Sequence, residues 1–180
     1  MRAPQDAFGE TDGLSEAHTS NPDVLEQALS LLAVPRGDLR FLDAGCRLGR
    51  AADFVRSRGW AREVVAIAEQ GGFPLSKLGT RRFDRVFLAD GIVDAEDPVA
   101  FLAALRGFAV EGGLVGCLLA RYAENRGLEL PPAARGQAEW RSCFRRSGFE
   151  VVRQERLHAR VGAGPDWLVR YGSLGILAVA

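Results

Sequence analysis

The hydrophobic pattern of the chain alternates between short continuous apolar runs and runs with helical spacing. Continuous runs predict strands covered on both faces, because such strands need no polar alternation. Three such runs are Arg40–Ala44, Glu63–Ala68 and Arg85–Ala89, and a fourth strand is predicted in "VEGGLVGCLLA" after a Gly-Gly turn. Helices are predicted after Asn21-Pro22, over Arg50–Arg58, after Asp97-Pro98 and over Gln137–Ser147.

The last two predicted strands are Phe149–Gln154 and Leu174–Val179. A loop that contains Gly and Pro joins them, which favours an antiparallel pair. Strands that alternate with helices predict an α/β fold with a doubly wound, mostly parallel sheet and a C-terminal antiparallel hairpin. Residues 1–20 are polar and predict a mobile N-terminal arm, so that residues 21–180 form a single domain.

Composition narrows the function classes. The 180 residues carry 23 basic and 23 acidic side chains, and this zero balance makes a dedicated nucleic-acid partner unlikely. No apolar run has the length of a membrane span or the place of a secretory signal, which predicts a cytoplasmic protein without a membrane partner. The three cysteines lie far apart and there are only two histidines, so no metal site is expected.

The stretch "FLDAGCRLGRAADF", residues 41–54, has the pattern of a buried strand, a tight turn and a helix. Gly45 allows a sharp turn at the strand end, and Gly49 allows the helix to pack close to the sheet. Backbone N–H groups at the start of such a helix can meet polar ligand atoms. Asp43 is placed either to accept a hydrogen bond from a ligand or to fix the loop.

Four segments in this order resemble the class I S-adenosylmethionine-dependent methyltransferases. They are "FLDAGCRLGRAADFV", "FDRVFLADGIVDAEDPVAFLAALRGFAVEGGLVGCLL", "FRRSGFEVV" and "LGILAVA". The resemblance spans Val34 to Ala180 and implies a Rossmann-like sheet and S-adenosylmethionine as cofactor. It implies that the cofactor is bound by Asp43, Gly45, Cys46, Arg47, Gly49, Glu69, Asp90 and Gly91. No residue is singled out as catalytic.

The chain departs from the family pattern at three places. Arg47 stands where the family usually has glycine, and the residue that would hold the ribose hydroxyls is Glu69, one position after the matching Ala68. Between Glu69 and Phe83 the family fits a helix, a strand and an adenine-contacting loop, and this chain is too short there for all three. The sequence therefore predicts a missing or shortened edge strand and a degenerate adenosine-binding half.

Two main functions follow from this pattern. The first is methyl transfer to a small-molecule acceptor, and the second is a catalytically inactive, methyltransferase-like partner or scaffold subunit. A third hypothesis is a superfamily member that uses the same pocket for another reaction. The missing strand predicts a protein partner or a homodimer at the shortened sheet edge, with Phe73, Pro74 and Leu75 as contact candidates.

Overall fold

The computed structural model describes residues 22–32, 37–45, 49–67, 75–119, 134–157 and 173–180. Its helices are α1 (Pro22–Leu31), α2 (Arg50–Ser57), α3 (Pro98–Arg106) and α4 (Gln137–Arg146). Its strands are β1 (Arg40–Ala44), β2 (Glu63–Ile67), β3 (Phe83–Leu88), β4 (Ala109–Leu119), β5 (Glu150–Leu157) and β6 (Ser173–Val179). Two 3₁₀ turns, Leu75–Leu78 and Asp90–Asp94, flank β3. The predicted N-terminal arm lies outside the described residues.

The six strands form one sheet in the order β2-β1-β3-β4-β6-β5. Strands β2, β1, β3 and β4 pair in parallel, whereas β6 pairs antiparallel with both β4 and β5. The predicted α/β class, the parallel centre and the C-terminal antiparallel pair are confirmed. Among the described residues no strand pairs with the outer side of β2, which agrees with the predicted loss of an edge strand.

Each face of the sheet carries its own core because side chains of a strand alternate between faces. In β1, Phe41 packs into the cluster under α1 and α2, with Leu29 and Val55. Its neighbour Leu42 packs into the cluster under α3 and α4, which contains Trp140 and other large buried side chains. Helices on both faces explain why the central strands read as continuous apolar runs.

Two strands differ from their predicted form. The Gly-Gly pair lies inside β4 rather than in a turn before it, and Gly112 takes a positive φ of 70°. The β3–β4 register shifts between Phe83 and Arg85 at this place, so the two glycines accommodate an irregularity within the strand. Strand β5 continues to Leu157 instead of ending at Gln154, because it pairs with β6 along its length.

A polar clamp joins three elements at the amino ends of the central strands. One carboxylate oxygen of Asp84 in β3 accepts hydrogen bonds from the backbone N–H of Arg40 (2.9 Å) and from its guanidinium Nε (3.2 Å). The neighbouring Arg85 donates from Nε to the carbonyl of Leu32, just beyond α1. Burial alone would raise the pKa of Asp84, but the hydrogen bonds and the positive charges of Arg40 and Arg85 outweigh it and lower the pKa.

We expect Asp84→Asn to lower the free energy of unfolding at pH 7 by about 1–2 kcal/mol, because Asp84 is only partly exposed and its bonds are charge-assisted. A lowered folded-state pKa gives stabilisation that is present above the unfolded value of about 4 and is lost as the pH falls. The difference between wild type and variant should therefore shrink below about pH 4 in urea titrations. Asp53→Asn, at the exposed Asp53–Arg56 pair, is the control and should cost less than about 0.5 kcal/mol. A pH-independent difference would contradict this account.

Candidate functional site

The connection from β1 to α2 is built on two glycines with positive φ. Gly45 follows the strand with φ 115°, and Gly49 immediately precedes the helix with φ 64°. A Cβ built on Gly49 would lie 3.6 Å from the Cβ of Ala66 in β2, so the space is adequate and the backbone angle is the constraint. Other residues adopt such angles at a cost, which explains why the turn needs glycine at these places.

Asp43 fixes this turn from within the protein. Its side chain is buried, with 1% exposed, and Oδ2 accepts a hydrogen bond of 2.9 Å from the backbone N–H of Ala52. Ala52 is the third residue of α2, and Gly49 at the N-cap has no side chain with which to cap the helix. The strand-end carboxylate therefore takes the place of the usual N-cap side chain, and its negative charge lies near the positive end of the helix dipole.

The second part of the predicted site follows β3. Ala44 of β1 pairs with Leu88 of β3, so Gly45 and the Asp90–Gly91 pair leave the sheet from neighbouring strands at the same edge. The structure thus brings the β1 turn and the β3 turn to one crevice at the carboxyl ends of parallel strands, where α/β sheets bind ligands. Of the remaining predicted residues, Cys46, Arg47 and Glu69 lie outside the described residues.

Sequence reasoning missed the 3₁₀ turn Asp90–Asp94. Ile92 and Val93 in it are buried and belong to the α3–α4 core, so the turn is anchored beside the crevice. The apolar pair in "DGIVD" was the available signal, but two residues are too few to show a period. Ala66 opposite Gly49 was also missed, because only the sheet register reveals that they face each other.

The described residues offer neither a metal site nor a membrane-spanning helix. Within the described ranges, no three His, Cys, Asp or Glu side chains come together in a way that could hold a metal ion. In that same part of the chain, no helix is both long and apolar enough to cross a membrane. Cys117 and Cys143 are buried and form no disulfide, and burial raises the pKa of Cys143 despite the positive charges of Arg135 and Arg146.

We expect Asp43→Ala to lower the free energy of unfolding by about 1–3 kcal/mol, because a buried carboxylate that caps a helix is lost. Asp43→Asn keeps an acceptor oxygen and should cost less than the alanine variant. Asp97→Ala is the matched control, since the Asp97 carboxylate caps α3 by accepting from Val99 and Ala100 at an exposed site. Urea unfolding measures all three, and an unchanged stability of Asp43→Ala would contradict the capping role.

The chain is similar to known proteins in its fold. No protein-family model and no curated protein matches the sequence. Among solved structures, a chain of the complex between the Trm112 methyltransferase activator and a methyltransferase of Haloferax volcanii is similar with a TM-score of 0.72 and 19% identity, over 97% of this chain and 95% of that one.

Two further solved structures are similar to this chain. An S-adenosylmethionine-dependent methyltransferase from Mesorhizobium loti has a TM-score of 0.66 at 17% identity, over 94% of this chain and 100% of that one. Magnesium protoporphyrin IX methyltransferase from Synechocystis, solved with bound S-adenosylhomocysteine, has a TM-score of 0.58 at 17% identity, over 99% and 90% of the two chains. Together with the sheet order and the crevice, these likenesses show that the chain has the class I S-adenosylmethionine-dependent methyltransferase fold.

Proposed function

We propose that this chain binds S-adenosylmethionine in the crevice between the β1 and β3 turns and transfers its methyl group to a small-molecule acceptor. The observation that carries the proposal is the β1 turn itself. Gly45 and Gly49 hold conformations that favour glycine, and a buried carboxylate fixes the helix that follows. A plain connection between a strand and a helix does not need this combination at the ligand-binding edge of a sheet.

The described residues fit the proposed cofactor. Gly45 and Gly49 are buried but carry no side chain, so neither places a Cβ between the turn backbone and polar atoms of a ligand. The helix start offers a favourable field for negative charge. When bound, the sulfonium supplies an already activated methyl group. The protein then mainly has to align the acceptor, a task that requires no dedicated acid or base. Gly91, at the end of β3, is proposed to border this space together with the backbone of Asp90.

The adenosine half of the site is proposed to be reduced. Residues 68–74 alone separate β2 from the first 3₁₀ turn, and β3 begins soon afterwards at Phe83. A helix and a strand with their connections do not fit into that length. We propose that Glu69 holds the ribose hydroxyls and that Cys46 and Arg47 line the methionine side, as in the family pattern. A cytoplasmic location is part of the proposal, and Cys117 and Cys143, which are buried and form no disulfide, are compatible with it.

We expect calorimetric titration with S-adenosylmethionine and S-adenosylhomocysteine to show micromolar binding to the wild type. Gly45→Arg should abolish it, because a side chain at φ 115° strains the turn. Gly37→Arg is the matched control: a Cβ there meets nothing within 4 Å, so binding should be unchanged. Absence of binding to the wild type up to millimolar ligand would refute the cofactor proposal.

A second candidate function is that of a catalytically inactive partner subunit that pairs through β2. In a parallel ladder successive residues bond alternately to the two sides, and the N–H group of Glu63, the first residue of β2, points to the carbonyl of Leu39 before β1 (3.4 Å). Val64 and Ala66 therefore face away from β1. The Val64 carbonyl accepts a 3.1 Å hydrogen bond from the guanidinium of Arg56, which shows that this carbonyl points to the outer side. An edge of this kind is a template for another strand.

The solved complex from Haloferax volcanii supports the partner proposal in general terms, because there a methyltransferase is held by an activator. The partner that we propose for this edge is a second copy of the chain. The β2 strands of the two copies would pair with each other across a twofold axis. Of the three residues predicted to make an apolar contact with a partner, Phe73 and Pro74 lie outside the described residues. Leu75 is partly buried and packs against the α3–α4 core of its own chain. Backbone pairing, rather than an apolar patch, is thus the proposed basis of association.

Val64→Pro tests the pairing, because it removes an outward N–H group and leaves the β1 ladder intact. We expect sedimentation velocity to show a concentration-dependent dimer for the wild type and a monomer for Val64→Pro. Val152→Pro lies at the register shift of the opposite edge strand and should dimerise as the wild type does. A wild type that stays monomeric up to high micromolar concentration would refute the homodimer.

A further inference from the structure

Positive charge is concentrated on one side of the sheet although the chain as a whole is neutral. Residues 134–157 contain six arginines and three glutamates. The Arg153 side chain is paired with Glu155, and the Glu139 carboxylate is used to accept from the backbone N–H of Gly136 at the start of α4. The β5–β6 register turns Arg153 and Glu155 to the sheet face away from α4, so the side toward α4 carries Arg141, Arg145 and Arg156, and of the three glutamates in residues 134–157 it holds Glu139. The zero net charge averages over this uneven distribution.

A groove of about 430 Å³ runs between α4 and β5 within this basic region. It is lined by Gln137, Ala138, Arg141, Ser142, Arg145 and Gln154, and no carboxylate is among them. Arg141 and Arg145 are one helical turn apart, which places both guanidinium groups on the same face of α4.

Hydrogen bonds organise the groove in advance. Arg141 donates from Nε to Oε1 of Gln154 (3.0 Å), and Gln154 donates from Nε2 to the carbonyl of Gln137 (2.7 Å). The bond fixes one edge of the Arg141 guanidinium and leaves its terminal nitrogens available to an anion. Among the described residues, the Arg145 side chain has no ion pair. Arginine forks of this type match the oxygen geometry of a phosphate group.

The bulge in β5 adds a third arginine to this face. The β5–β6 register moves from Val151 opposite Ala178 to Arg153 opposite Leu177, so Val152 is the inserted residue. After the insertion, Gln154 and Arg156 share the face toward α4, whereas Leu157 packs into the core on the opposite face. Arg156 therefore continues the line of positive charge formed by Arg141 and Arg145.

We propose that this α4–β5 groove binds the backbone phosphates of a nucleic-acid strand. A protein partner would need an apolar anchor, and Val152 is the sole exposed large hydrophobic residue within the described part of the chain. A groove with exposed arginines, a hydroxyl and two amides instead matches the phosphate contacts that position a strand without reading its sequence. A polymer with regularly spaced phosphates can follow the line from Arg145 through Arg141 to Arg156.

The groove is separate from the proposed cofactor crevice. Strand β5 lies four positions from β1 in the sheet, which corresponds to about 19 Å at the usual strand spacing. Nucleic-acid binding there does not depend on S-adenosylmethionine, so a failure of either proposal leaves the other standing.

The test is fluorescence anisotropy of a labelled oligouridylate with the cofactor-free full chain over a range of salt concentrations. We expect Arg141→Gln/Arg145→Gln to weaken binding at least about tenfold and to reduce the slope of log K against log salt by about 1.4, as expected for two lost contacts to a single strand. The matched control, Arg62→Gln/Arg81→Gln, removes two exposed arginines elsewhere and changes the net charge equally. It should retain the wild-type slope.

Three outcomes would overturn the proposal. The first is no binding of oligouridylate to the wild type at low salt. The second is an equal loss in the groove and control variants, which would assign the binding to net charge alone. The third is that polyglutamate displaces the oligouridylate from the wild type at equal charge concentration, but does not do so in Arg141→Gln/Arg145→Gln. That result would make the groove a site for carboxylate-rich peptides. Circular dichroism verifies that all variants are folded.

Discussion

The hydrogen bond from the Ala52 N–H group to the buried carboxylate of Asp43 ties the end of β1 to the start of α2. The two glycines between them supply the backbone angles that this short connection requires, but they provide no side chain to cap the helix. Asp43 supplies that cap from the strand. The crevice beside the turn can therefore be open to a ligand while the elements that frame it are held in place from within the core. This division between a glycine turn without side chains and a buried carboxylate anchor is the physical basis of the candidate site.

The sheet ends differently at its two sides. At β2, four of the five residues are only half-buried, and the guanidinium of Arg56 reaches the outward carbonyl of Val64. At β5, a bulge and several exposed charged side chains mark the edge. Both features are means by which edge strands avoid uncontrolled pairing. Within the described residues, the contact at the outer side of β2 is made by the exposed Arg56 side chain, which a pairing strand can displace at low cost, whereas the β5 edge is distorted and charged.

The uneven distribution of charge separates the proposed functions in space. The arginine-lined groove lies beside β5, whereas the β1 and β3 turns meet near the centre of the sheet. Because Arg141, Arg145 and Arg156 share the side toward α4 while the Arg153–Glu155 pair lies on the other face, neutral composition and a basic surface coexist. A net charge summed along a sequence cannot show this, since it contains no information about which charges neutralise each other.

The sequence by itself determined the order and type of the elements, since buried parallel strands and amphipathic helices leave distinct periods. It placed β1 at Arg40–Ala44 and located the glycine turn. It also indicated the loss of an edge strand, because chain length sets a firm limit on what fits between β2 and β3. Local chemistry was sufficient for these features.

The tertiary structure alone decided which distant residues meet. Three features depend on contacts between elements. They are the hydrogen bond of Asp43 with Ala52, the position of Ala66 opposite Gly49, and the anchoring of the 3₁₀ turn by Ile92. The Gly-Gly pair was predicted as a turn, yet it lies inside β4, where Gly112 donates to the carbonyl of Ala180 and Gly113 accepts from the Ala180 N–H. The face shown by Arg156 depends on the one-residue insertion at Val152, which becomes visible only when β5 is paired with β6. Register and helix packing are properties of pairs of segments, and a single segment does not encode them.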